Sequence, residues 1–205
     1  MFKALLCYEK ASQLDSKEDL YNENLQSVHK DIKQELVQMI NCVADNISVE
    51  SLYEIGYNIE LCKRIYSIRD ALLRDILQRD LCECAIAVVS GQDKLATIMC
   101  GSIVEAILLY QIEQNGITKY DISSICRHKD ASHYPVANMA LNELLYVANC
   151  EKMIATSNYH LGHYIKDYRN MIHPAREMRS KENVTHENVI TMWSVLVRLI
   201  SALFP

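Results

Sequence analysis

The sequence predicts an all-α protein: an antiparallel up-and-down helical bundle with additional N-terminal helices. The first observation is the scarcity of turn residues, since 5 of the 205 residues are glycine and 3 are proline. Sheets and sandwiches carry turn residues about every 8–12 positions. The second observation is that the hydrophobic residues, 50% of the chain, recur mostly at helical spacing. Long segments without turn residues therefore indicate long helices joined by few turns.

Residues 1–48 are predicted to form an N-terminal helical segment. Residues 1–16 have the pattern of an amphipathic helix, and residues 17–44 carry a second apolar stripe at helical period. The stretch from Ala4 to Ala11 resembles in its spacing the second helix of a tetratricopeptide-type repeat, of which it would be half. An ordinary amphipathic helix fits the same residues. Either way, this segment is a candidate surface for a protein partner.

Residues 49–205 are predicted to form the bundle, although one continuous helical unit fits the sequence equally well. Ser48 and Ser51 are alternative N-caps of a helical region that we expect to continue to Ser90. After a turn, the next helix is expected from Lys94 to Asn115. Its predicted buried side consists of Leu95, Ile98, Met99, Ile103, Ala106, Ile107 and Tyr110.

The stretch from Ile117 to Pro135 is polar and irregular, and we expect a long loop there. Loops of this length in compact domains tend to be functional or mobile. Helices are then expected at about Val136–Cys150, Asn158–Ile172 and Thr185–Phe204.

Charge and cysteine content restrict the class of protein. The formal net charge is −5, and no basic stripe suggests high-affinity binding of a nucleic-acid duplex. An acidic protein can still bind RNA where its site is locally positive. The 8 cysteines follow no secretory signal and several lie in helical apolar patterns, so we expect reduced, buried thiols in a cytoplasmic protein. The longest apolar stretch, around Ala85–Val89, is too short for a membrane span, and no membrane partner is expected.

The most informative residues lie near the end of the predicted helix Asn158–Ile172. On a helical wheel, Arg169 and His173 fall at one edge of an apolar face, one turn apart. That predicted core face consists of Leu161, Ile165, Tyr168 and Ile172. Pro174 disfavours helical geometry at His173, so the helix is expected to end or kink there. The imidazole would then sit at a helix C-terminus, where a positive charge is favoured.

The string from Tyr168 to Pro174 resembles the signature of HEPN-like helical domains (higher eukaryote and prokaryote nucleotide-binding). The segments Gly101–Leu108 and Leu141–Leu145, the latter with Ala148, are similar to other helices of such domains. The resemblance extends over about residues 57–205. It implies an up-and-down helical bundle that is usually a homodimer.

Active members of that family are metal-independent endoribonucleases of bacterial defence and stress systems, and the resemblance gives Arg169, Asn170 and His173 the catalytic roles. His173 would move the proton of a ribose 2′-OH, and Arg169 would stabilise charge on the phosphoryl oxygens. Asn170 would orient either group, while Glu105 and Tyr168 would support the site. The three residues between Arg169 and His173 make a shorter interval than is usual among active members. No cofactor is expected.

A noncatalytic interpretation is open beside the ribonuclease. Glu105 lies in the otherwise apolar run Ile103–Leu108, where a carboxylate needs a partner if it is buried, and Arg169 is the partner we expect. The chain would then be a helical interaction or dimerisation domain of a larger protein.

Metal sites are weaker alternatives. Cys126, His128 and His133 form a partial ligand set that lacks a fourth ligand at zinc-like spacing. His160 and His163 are three positions apart on a predicted helix, where exposed histidines are the simpler interpretation. We therefore predict no metal site.

Overall fold

The computed structural model of the chain describes residues 47–127, 131–172, 174–180 and 183–205. The chain divides into two compact units, Met1–Ser51 and Leu52–Pro205. Almost all of the first unit lies outside the described residues. The predicted N-terminal helices and the tetratricopeptide-like half repeat therefore stay predictions, and the fold below is that of the second unit.

Helices form most of the described chain, which confirms the all-α fold class. They are α1 (Val49–Glu54), α2 (Ile59–Tyr66), α3 (Ala71–Val89), α4 (Asp93–Gln114), α5 (Leu141–Cys150), α6 (Thr156–Met171), α7 (Pro174–Ser180) and α8 (His186–Leu203). The strands β1 (Lys119–Tyr120) and β2 (Tyr134–Pro135) pair antiparallel within the predicted long loop. Short 3-10 turns flank β2, and the second of them occupies Val136–Asn138, where a regular helix was expected.

The helical region predicted to continue to Ser90 is instead divided into three helices, so that prediction was wrong. Gly56 has a φ of +84°, a left-handed conformation that ends the first helix. Asn58 then caps α2 by accepting a hydrogen bond from the Leu61 amide at 3.0 Å. Asp70 caps α3 in the same way through the Leu73 amide at 2.9 Å.

Helix α4 is the centre of the bundle, because it packs against α3, α5, α6 and α8. Its direction is parallel to that of α8. At the N-terminal ends of the two helices, His186 Nδ1 lies 2.9 Å from Asp93 Oδ1. At the other end, Gln111 Nε2 donates to the Leu203 carbonyl at 2.8 Å. Helix α3, joined to α4 by a short turn, packs beside it in the opposite direction.

Helix α6 runs antiparallel to α8 and is fixed to it by two polar contacts. The Asn188 amide donates to the Tyr164 hydroxyl at 3.1 Å, and Arg198 Nε donates to Asn158 Oδ1 at 2.7 Å. Thr185 caps α8 with Asn188 three positions on, as the sequence predicts. These contacts fix the position of α6, the helix that carries the motif.

One face of α4 is not covered by the rest of the described chain. Leu95 is 44% exposed and Ile98 is 45% exposed, so their predicted burial was wrong. Both lie on the opposite side of the helix from Ala96 and Cys100, which are fully buried. The apolar character of α4 is continuous around the helix, and periodicity alone therefore does not separate its two sides.

By length and composition alone, α4 is also the one described helix apolar enough to cross a membrane, although half of that window is buried in the bundle. The expectation that the longest apolar stretch lies around Ala85–Val89, and that no apolar segment is long enough to span a membrane, was therefore wrong. Core helices of bundles have the same composition, so the test is weak evidence for a membrane span.

The described cysteines are all free thiols. Four of them, Cys62, Cys82, Cys84 and Cys100, are buried, as the sequence predicts. Burial raises the pKa of Cys62 from 9.0 to about 11, because desolvation disfavours the thiolate. Buried thiols of this kind act as small hydrophobic residues rather than as nucleophiles.

Candidate functional site

Arg169 continues the buried line of α6. The buried residues of this helix are Asn158, Gly162 and Ile165, at intervals of four and three. Arg169 follows four positions later and lies within about 20° of the centre of that line. Of the predicted core face, Ile165 is buried, whereas Leu161, Tyr168 and Ile172 are half-buried. The buried face of α6 therefore differs from the predicted core face. Arg169 lies on the side of the helix that faces the bundle, and not at the edge of that side.

Gly101 of α4 makes room for the Arg169 side chain. A Cβ atom at position 101 would overlap Arg169 Cδ and would lie 3.2 Å from both Cγ and Nε. The stem of the arginine therefore lies flat on the backbone of α4. Any larger residue at position 101 would lift it away.

The guanidinium then reaches Glu105, one helical turn beyond Gly101. Arg169 Nη1 donates to Glu105 Oε2 in a close ion pair, and this confirms the predicted pairing. The side chains are 34% and 36% exposed, so solvent reaches both partners. Within the described residues, no other donor of the guanidinium has a hydrogen-bond partner. An arginine has five N–H donors, so most of them are unused as far as the described part of the chain extends.

The other motif residues are only partly described. Asn170 and Tyr168 are half-buried. The Tyr168 ring lies 4.5 Å from that of Tyr164, whose hydroxyl is bound at the N-terminus of α8. His173 lies outside the described residues, so its predicted role stays a prediction. Helix α6 ends at Met171 and α7 begins at Pro174, which confirms that the helix stops at this point.

His160 and His163 flank the ring of Tyr159 on the same helix. The ring centroids are 5.3 Å and 4.6 Å from that of Tyr159. His163 Nε2 is buried and has no partner among the described residues. Desolvation, followed by the charge of Lys166, lowers the pKa of His163 below 6.5. A neutral imidazole packed against a tyrosine ring is a structural arrangement.

A second polar feature lies where the β1–β2 hairpin meets α5. It is a surface pocket of about 560 Å³. The residues that line it are Lys119, Tyr120, Asp121, Ser123, Ser124, Ser132, His133 and Tyr146. Hydrogen bonds from Ser123 lower the pKa of Asp121, which keeps this carboxylate ionised. Two hydroxyl groups of the pocket also bond to each other, since Ser124 Oγ donates to the Tyr146 hydroxyl at 2.8 Å.

The partial ligand set of Cys126, His128 and His133 belongs to the same region, and His133 lines the pocket. Cys126 is half-buried and His133 is exposed, while His128 lies outside the described residues. In the part of the chain that the structure describes, no three His, Cys, Asp or Glu side chains are grouped to hold a metal ion.

Gly101 is the site residue that sequence reasoning missed. Its signal was present, because a glycine within an apolar helical run, four positions before Glu105, marks a close approach by another group. The identity of that group could not be read from one sequence. The hairpin pocket had no such signal, since it depends on the pairing of β1 with β2.

No family model, curated protein or solved structure matches this chain.

Proposed function

We propose that this chain is an RNA-associated helical module of a bacterial defence or stress system. In this proposal it acts in the cytoplasm as a HEPN-like homodimer and cleaves RNA without a metal ion. The observation that carries the proposal is Arg169: a guanidinium held between two helices, one third exposed, with donors that have no hydrogen-bond partner among the described residues. A planar guanidinium fits phosphate oxygens well.

The proposed chemistry divides the work among three residues of the motif. Arg169 binds the scissile phosphate and stabilises the charge that develops on its oxygens. His173 accepts the proton of the attacking 2′-OH. The new P–O2′ bond forms as the P–O5′ bond breaks, which leaves a 2′,3′-cyclic phosphate and a 5′-hydroxyl that takes its proton from water. Asn170, adjacent to Arg169 on α6, orients the reacting groups. Tyr168 supports the arginine, and Glu105 pairs with it in the absence of RNA. The transferred atoms belong to the RNA, so the reaction needs no cofactor.

The test is cleavage of a mixed pool of tRNA and single-stranded RNA in EDTA. We expect cleavage by the wild type and its loss in both Arg169→Ala and His173→Ala. His160→Ala is the matched control, because His160 is an exposed histidine on the same helix and has no part in the proposed chemistry. Equal cleavage by all four proteins would place the activity elsewhere or in a contaminant, and no cleavage by any of them would leave the second candidate below.

The second candidate is a noncatalytic helical domain for protein interaction or dimerisation. The observation that favours it is the uncovered apolar face of α4, where Leu95 and Ile98 are each more than two fifths exposed. Exposed apolar patches on otherwise polar surfaces mark interaction sites. Sedimentation velocity on wild type and Ile98→Asp tests it: we expect an oligomer that the substitution dissociates, and a monomer in both cases would contradict it.

A further inference from the structure

The Glu105 carboxylate occupies the kind of position that a phosphate oxygen would take. An arginine presents its donors in a planar fork that fits carboxylate and phosphate oxygens alike. In this structure, Nη1 of that fork is turned to Glu105. An anionic substrate at Arg169 therefore meets a site that already holds an anion.

The two partners of the pair differ in how firmly they are held. The stem of Arg169 lies against the backbone at Gly101, with Cγ and Nε both 3.2 Å from where a Cβ would stand. Glu105 is 36% exposed, and among the described residues its one hydrogen-bonding partner is Arg169. Glu105 is therefore the partner that can leave while the guanidinium stays in place.

The pair is also weak enough to be exchanged. Ion pairs in which both side chains reach solvent contribute little to stability, because water and salt screen them. A nucleic-acid strand brings several phosphates and gains entropy from released counterions. Displacement of a single half-exposed carboxylate is thus within the reach of such a ligand.

We propose that Glu105 acts as an internal competitor that holds Arg169 in the absence of RNA and is displaced when a phosphate of the RNA backbone binds. This inference rests on the proposed function, because it takes Arg169 to be the phosphate-binding residue. It gives the site a resting state in which its charge is neutralised. Removal of the carboxylate charge then strengthens RNA binding instead of weakening it.

The experiment measures the affinity of a fluorescein-labelled single-stranded RNA for the full chain by fluorescence anisotropy. The variants are Glu105→Gln, Arg169→Gln and the double variant. Glu113→Gln is the matched control, because it removes the same charge from the same helix about 12 Å away. Glu105→Ala is a second variant without the charge, and circular dichroism verifies that each protein keeps its helix content.

We expect Glu105→Gln and Glu105→Ala to tighten RNA binding about two- to fivefold. This is the factor by which an ion pair between two partly exposed side chains would weaken the binding of a competing phosphate. Glu113→Gln should change it by less than about 1.5-fold, since a charge one Debye length away is screened. In the Arg169→Gln background, Glu105→Gln should give no gain. Unchanged or weaker binding by both Glu105 variants, with Arg169→Gln weakened, would overturn the competitor and leave the proposed function standing. Wild-type affinity in Arg169→Gln would overturn both.

Discussion

Gly101→Ala gives the sharpest test of how Arg169 is placed. Alanine is better than glycine in the interior of a helix by about 1 kcal/mol. Here, however, the new methyl group would overlap Arg169 Cδ and push the side chain off α4. The ion pair with Glu105, worth about 0.2–1 kcal/mol at this exposure, would be lost together with the packing of the stem. The two effects offset each other.

We therefore expect Gly101→Ala to leave the free energy of unfolding unchanged, or to lower it by up to about 1 kcal/mol. In the Arg169→Ala background the obstruction is gone, and the same substitution should stabilise the protein by about 1 kcal/mol. The coupling between positions 101 and 169 is then about 1–2 kcal/mol, which a double-mutant cycle measures by urea unfolding followed by circular dichroism.

Gly162→Ala is the matched control, because it is the other helical glycine whose Cβ would collide with a side chain. Its Cβ would overlap Leu145 Cδ2, and Leu145 is fully buried. We expect it to destabilise the protein in both backgrounds by the same amount. A gain of about 1 kcal/mol from Gly101→Ala with Arg169 present would refute the reasoning, since it would mean that the arginine does not lie on Gly101.

Three further predictions concern the bundle that supports the site. The Trp193 Nε1 donates to the Ile55 carbonyl at 2.7 Å, and Trp193→Phe removes this donor. The free energy of unfolding in urea should fall by about 1–2 kcal/mol, and an unchanged midpoint would mean that the hydrogen bond is absent. Because burial holds the pKa of His163 below 6.5, the unfolded state binds more protons, so stability should fall as pH drops through and below that value. His163→Gln should flatten this dependence between about pH 7.5 and pH 5.5, and parallel pH profiles of the two proteins would contradict it. In native protein, exposed Cys150 should react with iodoacetamide well before Cys62, because Cys62 is buried and its pKa is about 11. Peptide mapping measures the two labelling rates, and equal rates would contradict the packing of α2.

The sequence was most informative where one local signal dominated. Helix α4 has nearly the predicted bounds, because Gly116 provides the left-handed residue that stops it, with a φ of +77°. Thr185 and Asn188 identified the start of α8 by a capping pattern that needs no tertiary information. The pairing of Arg169 with Glu105 followed from the cost of leaving a carboxylate without a partner in an apolar run.

The sequence was least informative where tertiary contacts override periodicity. In α6, Asn158 and Gly162 occupy the buried line that an apolar pattern would assign to larger residues. Asn158 is buried because Arg198 donates to it, and Gly162 is buried because Leu145 packs against its backbone. Neither contact can be seen in the residues of α6 alone. The break at Gly56 was missed for a related reason, since the apolar residues on both sides of it continue one helical pattern.

The proposed binding of a phosphate of single-stranded RNA by Arg169 is tested most directly by the salt dependence of RNA binding. Each phosphate contact to a single strand contributes about 0.7 to the slope of log affinity against log salt concentration. Anisotropy titrations of the same labelled RNA, at a series of salt concentrations, give that slope for wild type and for Arg169→Gln. We predict that the substitution lowers affinity and reduces the slope by about 0.7. Equal affinities and parallel salt plots for the two proteins would contradict the claim.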